Sequence, residues 1–339
     1  MTESFRLGLV GAGGITALHL DAATALPGVQ VTAVCDIRFE AAQEAAARHG
    51  ARAYADHRQM FEESELDGVV ITVPHSLHAR ITLDAAAAGL HVLVEKPMAT
   101  TVADCRAMTE GCAQAGVRLA VGHVLHFLPS VREAERILRS GRLGEPVVIT
   151  ERRTADYAPG SRPDWFFDPQ IAGGGIVMNV GTHSIDKAQW LAAAPATGVT
   201  AQVWQKPGAA VEADSVGLLT LANGVRVALS VTGTGLPFHD ETEVVCANGA
   251  LRLSRSDGLW MFAGSEAQQV VRPDEDDIAA AFRDQLADFV DSCRTDREPA
   301  VDGAYGTSVV AAALAMYESD RKGSHVQVET VDQVAEVQA

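Results

Sequence analysis

The sequence predicts an α/β protein with two different sheets. We expect an N-terminal doubly wound parallel sheet, then an α+β domain with a large, mostly antiparallel open sheet. The length of 339 residues is enough for two domains of about 150 residues each. Short apolar runs alternate with helical patterns over the first third, whereas later apolar residues alternate one by one between hairpin turn signals. We place the domains at residues 1–123 and 124–339.

Strand and helix signals follow one another through the first domain. Apolar residues at helical spacing run from Ile15 to Leu26 and stop at Pro27. The predicted strands are Phe5–Val10, Val29–Cys35, 68–73, His91–Glu95 and 118–122. The other predicted helices are 39–49, 76–88 and Val102–Ala115, each followed by a glycine. This alternation favours a parallel sheet with helices on both faces.

The second domain has a different pattern. Helical segments are predicted at 129–140, 176–193, from about 277 to 290, and at 303–321, and residues 154–170 form a loop without a clear period. Three hairpin turns are predicted at Asn223-Gly224, Asn248-Gly249 and Asp257-Gly258. A large sheet with helices on one face needs cover on the other, so we expect a homodimer or homotetramer formed through the open sheet face.

Composition excludes several classes of protein. The chain has 27 basic and 44 acidic residues, a net charge of −17, which argues against nucleic acid or anionic membrane as a partner. Its five cysteines form no CxxC pair, so neither a disulfide framework nor a metal site is expected. No apolar run approaches the length of a membrane span. We expect a cytoplasmic protein with a small-molecule partner.

A glycine-rich turn after the first strand predicts dinucleotide binding. Gly11 allows a tight turn, and Gly13 allows the backbone to approach a pyrophosphate at a helix N-terminus. Thr16 replaces the third glycine of this pattern, so the turn alone is a weak signal. The predicted contacts are Gly11, Ala12, Gly13, Gly14 and Ile15. The competing interpretation is an ordinary glycine turn.

An acidic residue ends the second strand and indicates which dinucleotide is bound. Asp36 lies 22 residues after Gly14, close to the spacing expected for a carboxylate on a ribose 2′-hydroxyl. A carboxylate there repels a 2′-phosphate, which favours NAD. Arg38 is placed to accommodate the phosphate of NADP instead.

Two further segments follow predicted parallel strands, where open α/β sheets bind ligands. The first supplies the candidate cofactor contacts Thr72, Pro74, His75 and His78, and the second supplies Glu95 and Lys96. Pro97 restrains Lys96 to an extended conformation. A lysine here can hydrogen-bond a substrate oxygen and stabilise a developing alkoxide. The competing interpretation is a solvated surface charge.

A glycine-rich segment in the second domain carries a candidate proton acceptor. On a helix, Asn179, His183 and Asp186 lie on one face. The imidazole of His183 can accept a hydroxyl proton near neutral pH. The preceding run Gly173–Gly175 is expected to let the helix start approach a ligand closely. A buried structural histidine is the alternative.

These segments resemble the Gfo/Idh/MocA family (glucose-fructose oxidoreductase, inositol dehydrogenase, rhizopine catabolism). The resemblance covers nearly the whole chain, and it includes GAGGI, VCD, TVPHSLH, AGLHVLVEKP and GGGIVMNVGTHSID. It implies a Rossmann domain, a bound nicotinamide dinucleotide, a sugar or cyclitol substrate, and catalysis by Lys96 and His183. Asn179 stands where the family often has Asp, and His126 where many members have Arg. An amide cannot carry a proton, so Asn179 is expected to orient the substrate or the imidazole.

The loop before the glycines is expected to determine specificity. Trp165 can stack on a sugar face, Tyr157 is a second candidate substrate contact, and the arginines nearby, Arg152, Arg153 and Arg162, can bind an anion. The sequence thus predicts an NAD(P)-dependent oxidoreductase acting on a CH–OH group of a sugar, sugar derivative or inositol. Two alternatives remain, also from the resemblance: an NAD-dependent glycosidase that uses transient oxidation, and a non-enzymatic dinucleotide-binding sensor.

Overall fold

The computed structural model describes residues 4–233 and 235–329. Within these residues the chain forms two compact units. The first comprises residues 4–124 and 278–306, and the second comprises the described parts of 125–277 and 307–329. The chain therefore passes from one unit to the other three times.

The first unit contains a six-stranded parallel sheet in the order β3-β2-β1-β4-β5-β6. Its strands are β1 (Phe5–Val10), β2 (Val29–Cys35), β3 (Arg52–Tyr54), β4 (Gly68–Ile71), β5 (His91–Glu95) and β6 (Leu119–Gly122). Strand β1 pairs with both β2 and β4. The strand order thus reverses at β1, and ligands of open α/β sheets bind at such a reversal. The predicted doubly wound sheet is confirmed, although β3 was not foreseen.

Helices cover the sheet of the first unit. They are α1 (Gly14–Ala25), α2 (Phe39–Ala47), α3 (His57–Glu63), α4 (His78–Ala87), α5 (Val102–Ala115) and α9 (Asp277–Thr295). The sequence predicted all of these except α3. The predicted domain boundary places helix α9 in the second domain, but its residues from 278 onwards belong to the first unit. Phe282 lies edge-on to His19 with ring centroids 5.0 Å apart, and Phe289 lies 6.1 Å from Phe5.

The second unit contains a nine-stranded sheet in the order β14-β13-β12-β11-β7-β10-β9-β8-β15. The strands are β7 (Pro146–Thr154), β8 (Ala196–Gln205), β9 (Glu212–Leu221), β10 (Arg226–Thr232), β11 (His239–Cys246), β12 (Gly249–Ser254), β13 (Gly258–Ala263), β14 (Glu266–Val271) and β15 (Val326–Gln327). The three predicted hairpin turns connect β9 to β10, β11 to β12 and β12 to β13. Strand β7 lies between β10 and β11 and is parallel to β10.

Helices pack on one face of this sheet. They are α6 (Pro129–Arg139), the single turn α7 (Pro169–Ala172), α8 (Thr182–Ala192) and α10 (Gly303–Lys322), of which residues from 307 belong to this unit. On β9, Gly217 and Leu219 are buried towards the helices, whereas Val216 and Leu218 are 41% and 63% exposed on the opposite face. The sheet therefore exposes apolar side chains of β9 on the face opposite the helices.

No helix in the described part of the chain is both long enough and apolar enough to cross a membrane.

Candidate functional site

The glycine-rich turn follows β1 in the first unit and has the geometry that a dinucleotide requires. Gly11 has a φ of +106°, and a Cβ there would lie 2.5 Å from Thr72 Oγ1, so only glycine fits. Thr72 Oγ1 donates a hydrogen bond to the Val10 carbonyl, and Thr16 Oγ1 lies 2.8 Å from Thr72 Oγ1. Thr16, the departure from the usual pattern, thus ties the start of α1 to the end of β4.

The N-terminus of α1 is open. Gly13 is its N-cap residue, and no side chain caps the helix. A Cβ added to Gly13 or Gly14 would meet nothing within 4 Å, and both glycines and Ile15 are exposed. Backbone N–H groups of a helix start bind phosphate well, because they lack partners inside the helix. The turn fits the pyrophosphate of a dinucleotide.

Asp36 follows β2, as predicted, and holds this turn. Its Oδ2 accepts a hydrogen bond from the Ala12 N–H at 2.8 Å, and its Oδ1 accepts one from the Arg38 N–H at 2.8 Å. The guanidinium of Arg38 is largely exposed, with Nε 3.5 Å from Asp36 Oδ1. A carboxylate has about four lone-pair positions, so Asp36 can hold the turn and still accept hydrogen bonds from ribose hydroxyls.

His78 connects the segments that follow β4 and β5. The ring is fully buried, with Nε2 2.9 Å from the Val73 carbonyl and Nδ1 3.0 Å from the Pro97 carbonyl. Burial lowers the pKa of His78, although both carbonyls favour the protonated ring. His75 is also buried, in the turn His75–Leu77 that follows Pro74. His78 therefore holds the strand end that carries Lys96 in place.

Glu95 lies beside Lys96 at the end of β5. Its Oε1 is 2.8 Å from His19 Nε2, and its Oε2 accepts a hydrogen bond from the Lys96 N–H. Burial raises the pKa of Glu95, but the hydrogen bond to His19 and the charges of His19 and Lys96 outweigh burial and hold it below its usual value. Lys96 itself is half-buried.

The segment with the second set of candidate residues lies in the other unit and begins with a π-helical turn. This turn covers Val177–Gly181 and continues directly into α8. Asn179 lies in the π-helical turn and is buried, and His183 lies in the first turn of α8 and is half-buried. The prediction of a helix at 176–193 is confirmed, but the π-helical turn was not foreseen. Such turns often occur at functional sites.

Tyr157 connects the preceding loop to the π-helical turn. Its hydroxyl donates a hydrogen bond to the Phe166 carbonyl at 3.2 Å and is hydrogen-bonded to the Asn179 side chain. Burial and the nearby charge of Glu212 raise the pKa of Tyr157 to about 12. Tyr157 is therefore a neutral hydroxyl that fixes the loop and Asn179 relative to each other.

The aromatic side chains of this loop pack against one another and against Arg162. Trp165 and Phe166 stack with ring centroids 3.7 Å apart, and the Arg162 guanidinium lies over the rings of Tyr157 at 5.1 Å and Phe166 at 5.7 Å. Of the other candidate arginines, Arg152 and Arg153 belong to β7 rather than to the loop. The loop thus keeps Tyr157, Trp165 and Arg162 together.

His126 forms a buried pair with Asp186 of α8. His126 Nε2 lies 2.5 Å from Asp186 Oδ1, and the imidazole stacks on Trp190 with ring centroids 3.9 Å apart. Asp186 lies on α8 about one turn beyond His183, as predicted. Its contact with His126 attaches the short helical turn that contains His126 to α8.

Family models match the chain in both units. Residues 5–123 match the oxidoreductase family with an NAD-binding Rossmann fold, and residues 131–252 match the GFO/IDH/MocA C-terminal domain. The chain belongs to the Gfo/Idh/MocA oxidoreductase family. The resemblance inferred from its motifs, the Rossmann fold and NAD as the cofactor are thereby confirmed.

Relatives of this family member match nearly its whole length. Inositol 2-dehydrogenase 2 of Saccharopolyspora erythraea is 29% identical over 98% of each chain. The 1,5-anhydro-D-fructose reductase of Ensifer adhaerens is 26% identical over 96% of this chain and 99% of its own. The structure of levoglucosan dehydrogenase in complex with NADH superposes with a TM-score of 0.90 at 23% identity, covering 97% of this chain and 100% of that one; this likeness shows the shared fold.

This Gfo/Idh/MocA protein also contains a buried cluster of charges that the sequence did not reveal. Lys187 lies on α8 one turn after His183, and its Nζ is 2.7 Å from Asp240 Oδ1 and 3.7 Å from Glu151 Oε2. Arg153 binds the other Asp240 oxygen at 2.6 Å. Burial is the main reason that the pKa of Glu151 is raised to about 7. The cluster attaches α8 to β7 and β11.

Within residues 4–233 and 235–329, no group of three or more His, Cys, Asp or Glu side chains is arranged to hold a metal ion.

Proposed function

We propose that this family member is an NAD-dependent dehydrogenase or reductase acting on a CH–OH carbon of a sugar, sugar derivative or inositol. The observation that carries the proposal is the presence of both Lys96 and His183 in a chain with an NAD-binding Rossmann domain. A protein that only bound the dinucleotide would have no need of both side chains. The relatives named for inositol and 1,5-anhydro-D-fructose chemistry support the substrate class.

We assign the cofactor to the turn between β1 and α1. The open helix start of Gly13 and Gly14 is suited to the pyrophosphate, and Asp36 to the ribose hydroxyls. The full set of assigned cofactor residues is Gly11, Ala12, Gly13, Gly14, Ile15, Asp36, Arg38, Thr72, Pro74, His75, His78, Glu95 and Lys96. Of these, Thr72 and His78 act by holding the surrounding loops, since their polar atoms are bound to the chain.

The proposed catalytic roles follow from the chemistry of three side chains. NAD, when bound, supplies the carbon that accepts the hydride. Lys96 donates a hydrogen bond to the reacting oxygen and stabilises its negative charge. His183 accepts the hydroxyl proton during oxidation and returns it during reduction. Asn179 orients the substrate or the imidazole. Trp165 offers a ring face to a sugar, whereas the predicted substrate contact Tyr157 is 2% exposed and acts by holding Asn179 and the loop.

The proposal is tested by following nicotinamide absorbance while the purified protein meets NAD⁺, and separately NADP⁺, with inositols, aldoses, anhydrosugars and sugar nucleotides. We expect reduction of NAD⁺ by one subset of these compounds, and a lower kcat/KM with NADP⁺ because Asp36 repels a 2′-phosphate. A preference for NADP⁺ would show that Arg38 dominates instead. Cofactor binding without reduction by any compound would count against a dehydrogenase of this substrate class.

We further propose that the open face of the nine-stranded sheet joins copies of this chain into a homodimer or homotetramer. The apolar side chains exposed on this face support the proposal: Val148, Trp204, Val216, Leu218 and Val245. Apolar patches of this kind commonly mark interfaces between proteins.

Leu218→Asp is expected to dissociate this assembly. Leu218 is 63% exposed, so the change should have little effect on the isolated fold but should place a charge in the interface. Sedimentation velocity at micromolar concentration should show an oligomer for the wild type and a smaller species for the variant. Glu266→Gln, on the edge strand β14, serves as the control. A monomeric wild type would contradict the proposal.

We also propose that the protein works in the cytoplasm. The five cysteines, Cys35, Cys105, Cys112, Cys246 and Cys293, are all free thiols, which fits a reducing compartment.

A further inference from the structure

Glu212, the first residue of β9, belongs to none of the sequence motifs described above, yet it binds the start of the segment that carries Asn179 and His183. The side chain is buried, and its oxygens accept hydrogen bonds from the Gly175 N–H at 2.9 and 3.0 Å and from the Val177 N–H at 3.0 Å. A carboxylate that accepts several N–H bonds in a buried place is held in one geometry. Glu212 therefore fixes the backbone immediately before and within the π-helical turn.

Tyr317 of α10 completes this arrangement. Its hydroxyl donates a hydrogen bond to Glu212 Oε1 at 2.7 Å and accepts one from the Met178 N–H at 3.1 Å. Two side chains thus bind three backbone N–H groups, that of Gly175 just before the turn and those of Val177 and Met178 within it. Burial raises the pKa of both Glu212 and Tyr317, which agrees with their enclosed position.

The glycines of this segment have a different function from the one predicted. A Cβ on Gly174, whose φ is +151°, would lie 2.2 Å from Tyr317 Oη, and a Cβ on Gly175 would lie 2.2 Å from the Glu212 carbonyl oxygen. The sequence predicts that these glycines let a ligand approach the start of the helix. In the structure, Gly174 and Gly175 instead leave room for Tyr317 and Glu212.

The contacts continue to the candidate catalytic residues. The Asn179 N–H donates to the Gly175 carbonyl at 3.0 Å, so a shift of Gly175 moves Asn179 directly. Thr182 Oγ1 donates to the Met178 carbonyl at 3.0 Å, which connects the residue bound by Tyr317 to the start of α8 just before His183.

We infer that Glu212 and Tyr317 are positioning residues for the reaction: they fix the π-helical turn so that Asn179 and His183 keep the orientation that turnover requires. The inference rests on the proposed function, because it concerns the same site. A bond that only stabilised the fold would lower the stability of a variant without changing the kcat of its folded molecules.

The test uses Glu212→Gln and Tyr317→Phe in the full chain. With the amide oxygen of Glu212→Gln at the position of Oε1, the NH₂ group faces the Gly175 N–H, which now donates to Oε2 at 2.9 Å. Two donors repel each other there, so we expect Gly175 and the turn to shift. A misplacement of about 1 Å near a catalytic group can lower the rate about 100-fold, so we expect kcat to fall by about 10- to 100-fold. Tyr317→Phe loses only one hydroxyl and is expected to lower kcat by about three- to tenfold. NAD affinity should remain within about twofold of the wild type, because the glycine turn and Asp36 belong to the other unit.

Two comparisons distinguish positioning from stability. Glu266→Gln is the matched control, since Glu266 is exposed on the edge strand β14, and its kcat should be unchanged. The double variant Glu212→Gln/Tyr317→Phe should lose less than the product of the single losses, because the two residues act on the same turn. Thermal unfolding of each variant establishes that the molecules assayed are folded.

A second measurement does not depend on turnover. The imidazole resonances of His183, assigned by their loss in His183→Asn, are followed by NMR in the protein without cofactor. We expect them to shift in Glu212→Gln and Tyr317→Phe, while those of His19 and His78 in the other unit stay in place.

Unchanged His183 resonances and unchanged kcat in folded variants would overturn the inference. If the wild type turned over no polyol, the proposed function would fail, and the resonances would still decide whether Glu212 positions His183. If Glu212→Gln did not fold, Tyr317→Phe would carry the test.

Discussion

Lys96→Ala and His183→Ala are each expected to lower turnover by at least about 100-fold while the protein still binds NAD. Without Lys96, the reacting oxygen loses the ammonium group that stabilises its developing charge. Without His183, the hydroxyl proton has no acceptor. Steady-state kinetics on the substrate found in the panel, with NAD binding measured by calorimetry, would give kcat and the cofactor affinity separately.

Suitable controls are Lys322→Ala and His325→Ala, which remove the same functional groups from exposed positions and should leave kcat unchanged. We expect the double variant Lys96→Ala/His183→Ala to lose less than the product of the single losses, because residues that act as a unit are not additive. Near-normal turnover in both single variants would refute the assigned roles.

Asp240→Ala is expected to destabilise the protein by about 3–5 kcal/mol, because it leaves two buried cations without their shared partner. Asp240 binds both Arg153 and Lys187, and all three side chains are at least 95% buried. Denaturant unfolding would measure the loss. Glu318→Ala, which removes an exposed ion pair with Lys322, should cost far less, because solvent screens exposed ion pairs. An equal cost for the two variants would contradict the description of a buried cluster.

The loss of unfolding free energy caused by Asp240→Ala should become smaller in acid. Burial alone raises the pKa of Asp240, but the charges of Arg153 and Lys187 hold it well below 3.8. A carboxyl with a lowered pKa in the folded state contributes stability that is complete above its unfolded pKa and is lost as the pH falls through the folded value. The difference between wild type and variant should therefore shrink in strong acid.

Features set by local sequence were predictable from the chain. The glycine turn between β1 and α1, the acid after β2, and the hairpin turns at Asn223, Asn248 and Asp257 each depend on a few neighbouring residues. The alternation of Val225, Val227, Leu229 and Val231 likewise predicted one face of a strand, and all four side chains are buried around β10. These are the parts of the structure in which backbone preference and side-chain pattern agree.

Features set by long-range pairing were not predictable. The parallel pairing of β7 with β10 joins residues about 80 positions apart, and the sequence around Pro146 carries no sign of it. The same is true of Glu212, whose partners lie at residues 175, 177 and 317. The π-helical turn has the same apolar spacing as an α-helix over so few residues, so periodicity cannot separate them.

The return of the chain to the first unit at residues 278–306 has a consequence for recombination. A fragment that ended at residue 124 would keep every strand of the parallel sheet but lose Phe282 and Phe289, leaving the rings of His19 and Phe5 without those neighbours. Exchanging whole units between relatives would therefore need three junctions, near residues 124, 278 and 306. The two units are interleaved along the chain, so neither can be exchanged as one continuous segment even though each has its own sheet.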